Sequence, residues 1–263
     1  MKHLFVTLFI VFSLYSLALH TCISFAQKHD IQGITYQIYK GDAIVVSPDE
    51  YKKRIHLYSG RVYVPDSVQI EGELYCVKDV TQAFMGCCYL KEIRLPLGQT
   101  DICGLAFAWC KSLQNFEIPN GVSRIYGKAF LNCKSLQYVK LPASLQRLGE
   151  SAFEGCVNLK SIEIPPQVIT IEDGAFAGCT RLKCRVLPQS VDTIGYFAFG
   201  GCKGLEEIYV HAVKPPVLDG DISSLPVFDK VKKSIPVHIP KGSKPLYMQA
   251  KEWSLFTNYI DDL

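Results

Sequence analysis

Apolar residues recur along most of the chain in a pattern with a period of 23 residues. Each copy contains an Ala-Phe pair, two further residues and a Cys, and a Leu stands three residues beyond that Cys. Six copies follow one another without a slip, with the Phe at positions 84, 107, 130, 153, 176 and 199. A Pro closes the next apolar stretch in five copies, whereas the sixth has His211 there. We interpret that change as the end of the array.

The apolar positions within one copy predict a short strand followed by a return path. Ile162 and Ile164 are two residues apart and point to one side of the strand, while Glu163 points to the other. Pro165 then ends the strand, because it has no N–H to donate to a neighbouring strand. Inward-facing residues of the return path are predicted at Val168, Ile171, Ala175 and Phe176.

A period of this length predicts a solenoid. It lies within the range of leucine-rich repeats, in which each coil adds a short strand to a continuous parallel sheet. One coil cannot cover its own apolar side, so stability comes from contacts between neighbouring coils and from special capping at both ends. We therefore predict a mainly β leucine-rich-repeat solenoid at residues 77–211, between an amino-terminal β cap at 27–76 and a carboxy-terminal β/helix cap at 212–263.

The consensus Leu-x-x-Ile-x-Ile-Pro-x-x-Val-x-x-Ile-x-x-x-Ala-Phe-x-x-Cys resembles the BspA-like class of bacterial leucine-rich repeats. The flanks are similar to the caps of that family, through residues 33–36 and 62–68 at one end and residues 215–216, 227–228, 238–243 and 247–256 at the other. The resemblance implies a secreted or surface-exposed protein of Bacteroides-like bacteria. It also implies binding to other proteins, including host matrix in some members.

Two positions depart from the consensus. Arg185 stands where an inward Ile is expected, and a buried unpaired charge is costly. Either the strand shifts so that Cys184 and Val186 face inward, which we favour, or Arg185 finds a partner. In the first copy Val80 stands one residue closer to the Ala-Phe pair than in later copies, so that coil is expected to belong partly to the cap.

The outward strand positions form the candidate ligand-binding face, because the inward side of a solenoid is used for packing. Charges alternate in sign down the first four positions of one column, so these residues either pair with one another or bind a ligand. Tyr138 and Tyr209 are the stronger binding candidates, since Tyr contributes strongly at interfaces. The candidate ligand-binding residues are Glu92, Arg94, Asn115, Glu117, Tyr138, Lys140, Ser161, Glu163, Glu207 and Tyr209.

Ten of the eleven cysteines lie beyond residue 26, and six of these form the ladder of the repeat. Stacked Cys side chains would be held slightly too far apart for a disulfide. We therefore predict that the ladder cysteines are buried thiols that donate weakly into the turns. The pairing of Cys76, Cys88, Cys103 and Cys184 is left open.

Charge and composition narrow the functional classes. The 263 residues include 28 Lys and Arg against 25 Asp and Glu, a formal charge of +3. That small excess argues against a nucleic-acid-binding protein, which needs clustered basic residues. The six His have no metal-ligand spacing, and the nucleophile, metalloprotease and phosphate-loop motifs are missing, so no enzyme activity, metal or cofactor is predicted. Asp219 and Asp221 begin like a calcium loop, but Lys230 replaces the required Glu, which indicates a polar turn.

The first 26 residues predict a signal peptide. A short basic start precedes an apolar run at residues 4–19, and small residues precede a cleavage site after Ala26. A lipoprotein anchored at Cys22 is the alternative, and no second apolar run could span a membrane. We expect a non-enzymatic, secreted or cell-surface protein-binding module that acts as an adhesin. The alternative is a periplasmic or envelope scaffold with a bacterial partner.

Overall fold

The computed structural model describes residues 27–47, 58–80, 83–183, 186–219 and 226–263. The predicted signal peptide, Cys184, Arg185 and most of the predicted polar turn therefore lie outside the described residues. We number coils 1 to 6 by their Phe residues, from Phe84 to Phe199. The predicted mainly β solenoid is confirmed, because each coil passes through a front strand, a back strand and a hydrophobic turn.

The amino-terminal segment forms a five-stranded sheet in the order β1-β2-β3-β6-β5. Its strands are β1 (Lys28–Ile31), β2 (Ile34–Tyr39), β3 (Asp42–Val45), β5 (Ser67–Ile70) and β6 (Glu73–Asp79). Tight hairpins join β1 to β2, β2 to β3 and β5 to β6, whereas β3 and β6 are parallel neighbours. Lys40 and Gly41, between β2 and β3, both have positive φ, as the two-residue turns of twisted hairpins require. In coil 1 the residues before the hydrophobic turn belong to β6, so that coil is shared with the cap as predicted.

The front sheet runs the length of the molecule. Its strands are β4 (Gly60–Tyr63), β7 (Leu90–Arg94), β9 (Asn115–Glu117), β11 (Tyr138–Lys140), β13 (Ser161–Ile162), β15 (Val186–Leu187), β17 (Ile208–Val210), β19 (Pro236–Ile239) and β20 (Asn258–Asp261). Each strand pair in it is parallel. Between these strand pairs, individual backbone hydrogen bonds continue the stack, such as the one from Lys183 N–H to Lys160 O at 2.8 Å.

The back sheet is the second parallel stack. It comprises β8 (Asp101–Ile102), β10 (Arg124–Ile125), β12 (Arg147–Leu148), β14 (Thr170–Ile171), β16 (Thr193–Gly195) and β18 (Val217–Asp219). Its inward residues are buried, including Val168 and Ile171 as predicted. Because β18 and β19 lie beyond residue 211, the stack continues for a coil past the end of the repeated sequence.

The hydrophobic turns form the third side, and their Phe rings stack in one column. Neighbouring ring centroids are 5.1 to 5.6 Å apart from Phe84 to Phe228, with planes within 19° of parallel. The six ladder cysteines are fully buried. Each from Cys110 to Cys202 directs its Sγ to the carbonyl oxygen of the preceding coil's Phe, at 3.0 to 3.2 Å. The ladder prediction is confirmed: these thiols are free.

The carboxy-terminal segment closes the stack with α1 (Lys244–Gln249), a short 3-10 helix (Trp253–Leu255) and β20. Trp253 and Phe256 are buried against Phe228, and the Trp253 indole N–H donates to Pro216 O at 2.9 Å. Leu255, which lies between them in the sequence, is exposed. The two aromatic rings therefore cover the end of the Phe column.

The expected inward shift at Val186 is wrong. Val186 is 44% exposed, and Leu187 beside it is buried. Parallel pairing holds Val186 opposite Tyr209 and Leu187 opposite Val210. A shift by one residue would turn Leu187 out to water, since strand side chains alternate between faces.

Candidate binding face on the front sheet

The front sheet presents most of the predicted ligand-binding residues to solvent. The eight exposed ones are Glu92, Arg94, Asn115, Glu117, Tyr138, Lys140, Ser161 and Glu163. Each follows or precedes an inward residue, such as Ile93, Phe116 or Val139, whose burial fixes which side of the strand faces out. The sheet thus holds these side chains as neighbouring rungs at intervals of about 4.8 Å.

An open groove of about 890 Å³ lies across coils 1 to 3 of this face. Six of the ten predicted residues line it: Glu92, Arg94, Asn115, Glu117, Tyr138 and Lys140. Arg61, from the cap, and Leu97, which is 62% exposed, also line it. The groove therefore combines both signs of charge with exposed apolar surface, which suits recognition of another protein.

The charged residues of the groove pair only in part. Lys140 Nζ lies 2.6 Å from Glu117 Oε1. Of the ion pairs that a self-paired column would form, this is the one present among the described residues. Glu92 pairs with Arg61 of the cap at 3.1 Å. The Arg94 guanidinium instead lies over the Tyr63 ring, 5.1 Å from its centroid. Glu163 has no ion pair with any described residue, so the alternating column is not a continuous salt ladder.

Tyr138 stands in the middle of the face and is 49% exposed. Asn115 and Ser161 are its neighbours in the two adjoining strands. Lys160 Nζ lies 5.6 Å from the centroid of its ring. With smaller side chains on both sides, the ring projects as an amphipathic surface of the kind enriched at protein interfaces.

Tyr209 and Glu207 lie at the other end of the sheet and are half-buried. The Tyr209 ring stacks on His238 with centroids 4.1 Å apart and planes 5° from parallel. His238 Nδ1 is 3.0 Å from Asp262 Oδ1, and its Nε2 is 3.8 Å from Glu207 Oε2. These contacts join coil 6 to the carboxy-terminal segment, so the structure separates Tyr209 and Glu207 from the groove.

Residues of the cap were missing from the sequence-predicted site. Arg61 lines the groove, and Tyr63 contacts its Arg94, because β4 pairs in parallel with β7, with Arg61 opposite Glu92 and Tyr63 opposite Arg94. This pairing extends the front sheet one rung before the first repeat. The alternation in Arg61-Val62-Tyr63-Val64 was the available signal, although its register with β7 depends on the fold.

The remaining reactive groups do not form a catalytic arrangement among the described residues. Cys103 Sγ lies 3.4 Å from Asp79 Oδ1. Burial raises the pKa of the Cys103 thiol far above its ordinary value, and the Asp79 carboxylate raises it further, so this thiol is a poor nucleophile. Across all the residues that the structure describes, His, Cys, Asp and Glu form no group of three or more able to hold a metal ion.

Stacked parallel strands, a Phe column and a Cys ladder define a leucine-rich-repeat solenoid with a solvent-facing front sheet. The family model for the BspA type leucine-rich repeat region matches six copies at residues 80–212. The chain therefore belongs to the BspA-type leucine-rich-repeat family. Leucine-rich-repeat domains generally bind proteins, and repeat proteins of this kind typically serve as non-enzymatic scaffolds.

Two solved structures agree with this fold at TM-scores above 0.5. A leucine-rich cell surface protein from Faecalibacterium prausnitzii superposes with a TM-score of 0.54 at 19% identity, over 81% of this chain and 70% of that one. The T. pallidum leucine-rich repeat protein gives a TM-score of 0.52 at 25% identity, over 68% and 91%. A leucine-rich repeat protein from Bacteroides ovatus shares 25% identity over 80% and 70%, with a TM-score of 0.42.

The search of curated proteins found no match. A search of the described residues for a membrane-spanning helix found none of sufficient length and apolarity.

Proposed function

We propose that the chain is a non-enzymatic protein-binding module, exported to the cell surface or secreted, that recognises its partner at the front-sheet groove. The observation that carries the proposal is the convergence of six sequence-predicted outward residues on one open groove. Tyr138 is its central aromatic side chain, while Arg94 and Lys140 supply charge at its sides. Polar and aromatic side chains spread over an open groove favour a folded protein surface, rather than a small molecule, as the ligand.

An adhesin that binds host extracellular matrix is the specific form of this proposal. Support comes from the family and from the similarity to a protein described as a cell surface protein. The signal-peptide pattern of residues 1–26 is consistent with export. A periplasmic or envelope scaffold with a bacterial partner is the second candidate, because the same pattern supports it equally.

Two measurements test the proposal. Protease shaving of intact native cells, with a periplasmic protein as control, should release or cleave the protein if it is displayed, and protection until the envelope is broken would favour the scaffold. Surface plasmon resonance against fibronectin, laminin and collagen should then detect binding that Tyr138→Ala weakens at least tenfold, or about 1.4 kcal/mol.

Tyr126→Ala is the matched control. Tyr126 is similarly exposed, but it directly follows the back-sheet strand β10 and does not line the groove. It should bind as the wild-type protein does. Equal losses in both variants would place the interaction away from the groove, and binding that is unaffected by Tyr138→Ala would reject this residue as its centre.

A further inference from the structure

A row of positive charges follows one edge of the solenoid. It lies in the short segments that connect each ladder Cys to the front sheet in coils 2 to 6, residues 110–114, 133–137, 156–160, 179–183 and 202–206. Glu206 is the only acidic residue in these segments. The basic row consists of Lys111, Lys134, Lys160, Arg181, Lys183 and Lys203, all of them exposed.

The uniform sign of this row is not imposed by the fold. Lys111 and Lys134 occupy the same position in adjacent coils, where stacked residues are about 4.8 Å apart. Like charges directly opposite each other in neighbouring strands are destabilising. In the front sheet, Glu117 and Lys140 occupy equivalent positions with opposite sign and form an ion pair. The same stacking thus accommodates alternation, which these segments show only in the last coil, where Glu206 stands opposite Lys183.

Most of the row is available to a partner. Lys183 Nζ lies 2.7 Å from Glu206 Oε1, and Lys160 lies over the Tyr138 ring. The other four side chains form no ion pair, hydrogen bond or ring contact with described residues. These four are Lys111, Lys134, Arg181 and Lys203.

The small formal charge of the chain conceals this clustering. The six basic residues and Glu206 carry a net charge of +5, whereas the whole chain carries +3, so the other residues together are net negative. Near the back sheet, by contrast, acidic and basic side chains lie side by side, as in the ion pairs of Lys128 with Glu150 and of Arg147 with Glu172. The row of like charges is therefore a local feature of one edge of the solenoid.

We propose that the basic row binds a linear anionic polysaccharide, one that carries sulfate or carboxylate groups, along the axis of the stack. The five segments contain no aromatic residue. Protein interfaces are enriched in aromatic residues and Arg but depleted in Lys, so a Lys-rich row without aromatic anchors does not fit a protein partner. Sites for single-stranded nucleic acid add a series of aromatic rings on which successive bases stack, whereas Tyr138 is the one ring in cation–π contact with a described residue of this row. A polymer with regularly spaced charges matches cations repeated from coil to coil.

The test uses the full chain and fluorescein-labelled heparin as a sulfated polysaccharide probe. Fluorescence anisotropy is measured over a series of NaCl concentrations. The row variant combines Lys111→Gln, Lys134→Gln, Arg181→Gln and Lys203→Gln. The control variant removes the same number of charges elsewhere through Arg124→Gln, Lys214→Gln, Lys241→Gln and Lys244→Gln, all at exposed positions. Thermal melts establish that both variants are folded.

We expect the wild-type protein to bind heparin with an affinity that falls as salt rises, because binding releases counterions. The row variant should lose at least about tenfold in affinity at moderate salt, and its salt slope should fall by about one for each contact removed. The control variant should remain within about threefold of wild type, because its charges lie outside the row.

Several outcomes would overturn the proposal. Absence of heparin binding by the wild-type protein would do so directly. Equal losses in the two variants would show attraction to overall charge only. Tighter binding of polyglutamate or of a single-stranded oligonucleotide, lost in the same row variant, would assign the row to a different class of polymer. The four residues changed in the row variant do not line the groove, so the heparin result is independent of protein binding at the groove.

Discussion

The interior column and the front face of the solenoid arise from the same stacked coils. The interior repeats the same residue types in every coil, whereas the face does not. The interior has Phe and Cys in all six coils, and the rings lie 5.1 to 5.6 Å apart. The outward strand positions change residue from coil to coil. An interior side chain packs against its own equivalents above and below, so one residue type that fits is retained in each coil. Outward side chains contact water, and their variation is free to serve recognition.

The two ends show how far the interior rule extends. Tyr58 packs against Phe84 at one end, with ring centroids 4.8 Å apart, and Trp253 packs against Phe228 at the other, at 5.3 Å. Neither continues the parallel stacking, since their planes are tilted by 49° and 56°. A tilted larger ring covers the last Phe and ends the column, as a solenoid cap must.

The largest effect should come from opening the interior column. We expect Phe153→Ala to lower the free energy of unfolding by about 3 to 5 kcal/mol, because it removes a fully buried ring that stacks on Phe130 and Phe176. Chemical denaturation monitored by circular dichroism measures the loss. A loss below about 1 kcal/mol would mean that the column is not a packed interior.

A smaller loss is expected at the Cys ladder. Cys133→Ala removes a buried sulfur whose Sγ lies 3.1 Å from Phe107 O, and should cost about 1 to 2 kcal/mol in the same assay.

Alkylation provides an independent check on the thiols themselves. Burial raises the pKa of the Cys133 and Cys179 thiols well above the usual range, whereas Cys76 is exposed. Iodoacetamide at pH 8 should therefore modify Cys76 in the folded protein and the two ladder thiols only after unfolding. Rapid labelling of Cys133 under native conditions would contradict its assigned burial.

The charged pair on the front face should contribute less still. A double-mutant cycle with Glu117→Gln and Lys140→Gln should give a coupling energy of about 0.2 to 1 kcal/mol, because both side chains are well exposed. Addition of salt should reduce it further. A coupling above about 2 kcal/mol would indicate a buried pair with a structural role.

Tyr138→Ala should have the smallest effect on stability, within about 0.5 kcal/mol, because the ring projects from the surface. The same substitution is expected to have a large effect on partner binding. That opposite ranking of Phe153 and Tyr138 in the two assays is the sharpest test of the division between interior and face. If Tyr138→Ala lowered the melting temperature as much as Phe153→Ala, the assignment of interior and face would be reversed.

Sequence alone predicted the interior more reliably than the binding face. The inward positions, the buried free thiols and the ends of the strands before each Pro follow from a periodic pattern that local sterics and packing enforce. The inward shift inferred at Val186 was wrong, because the inference rested only on the free-energy cost of burying Arg185. Pairing of β15 with β17 fixes the register of Val186 and Leu187 through backbone bonds that a single copy does not reveal.

What the sequence by itself determined is the 23-residue period, and with it the coil, its inward residues and the outward columns. What only the tertiary structure decided is which unrelated segments join those columns. Strand β4 before the repeat and β18, β19 and β20 after it add rungs without sharing the consensus, since parallel pairing needs only backbone N–H and C=O groups. Whether an outward residue is free depends on such neighbours: Tyr138 projects beside small side chains, while Tyr209 stacks on His238.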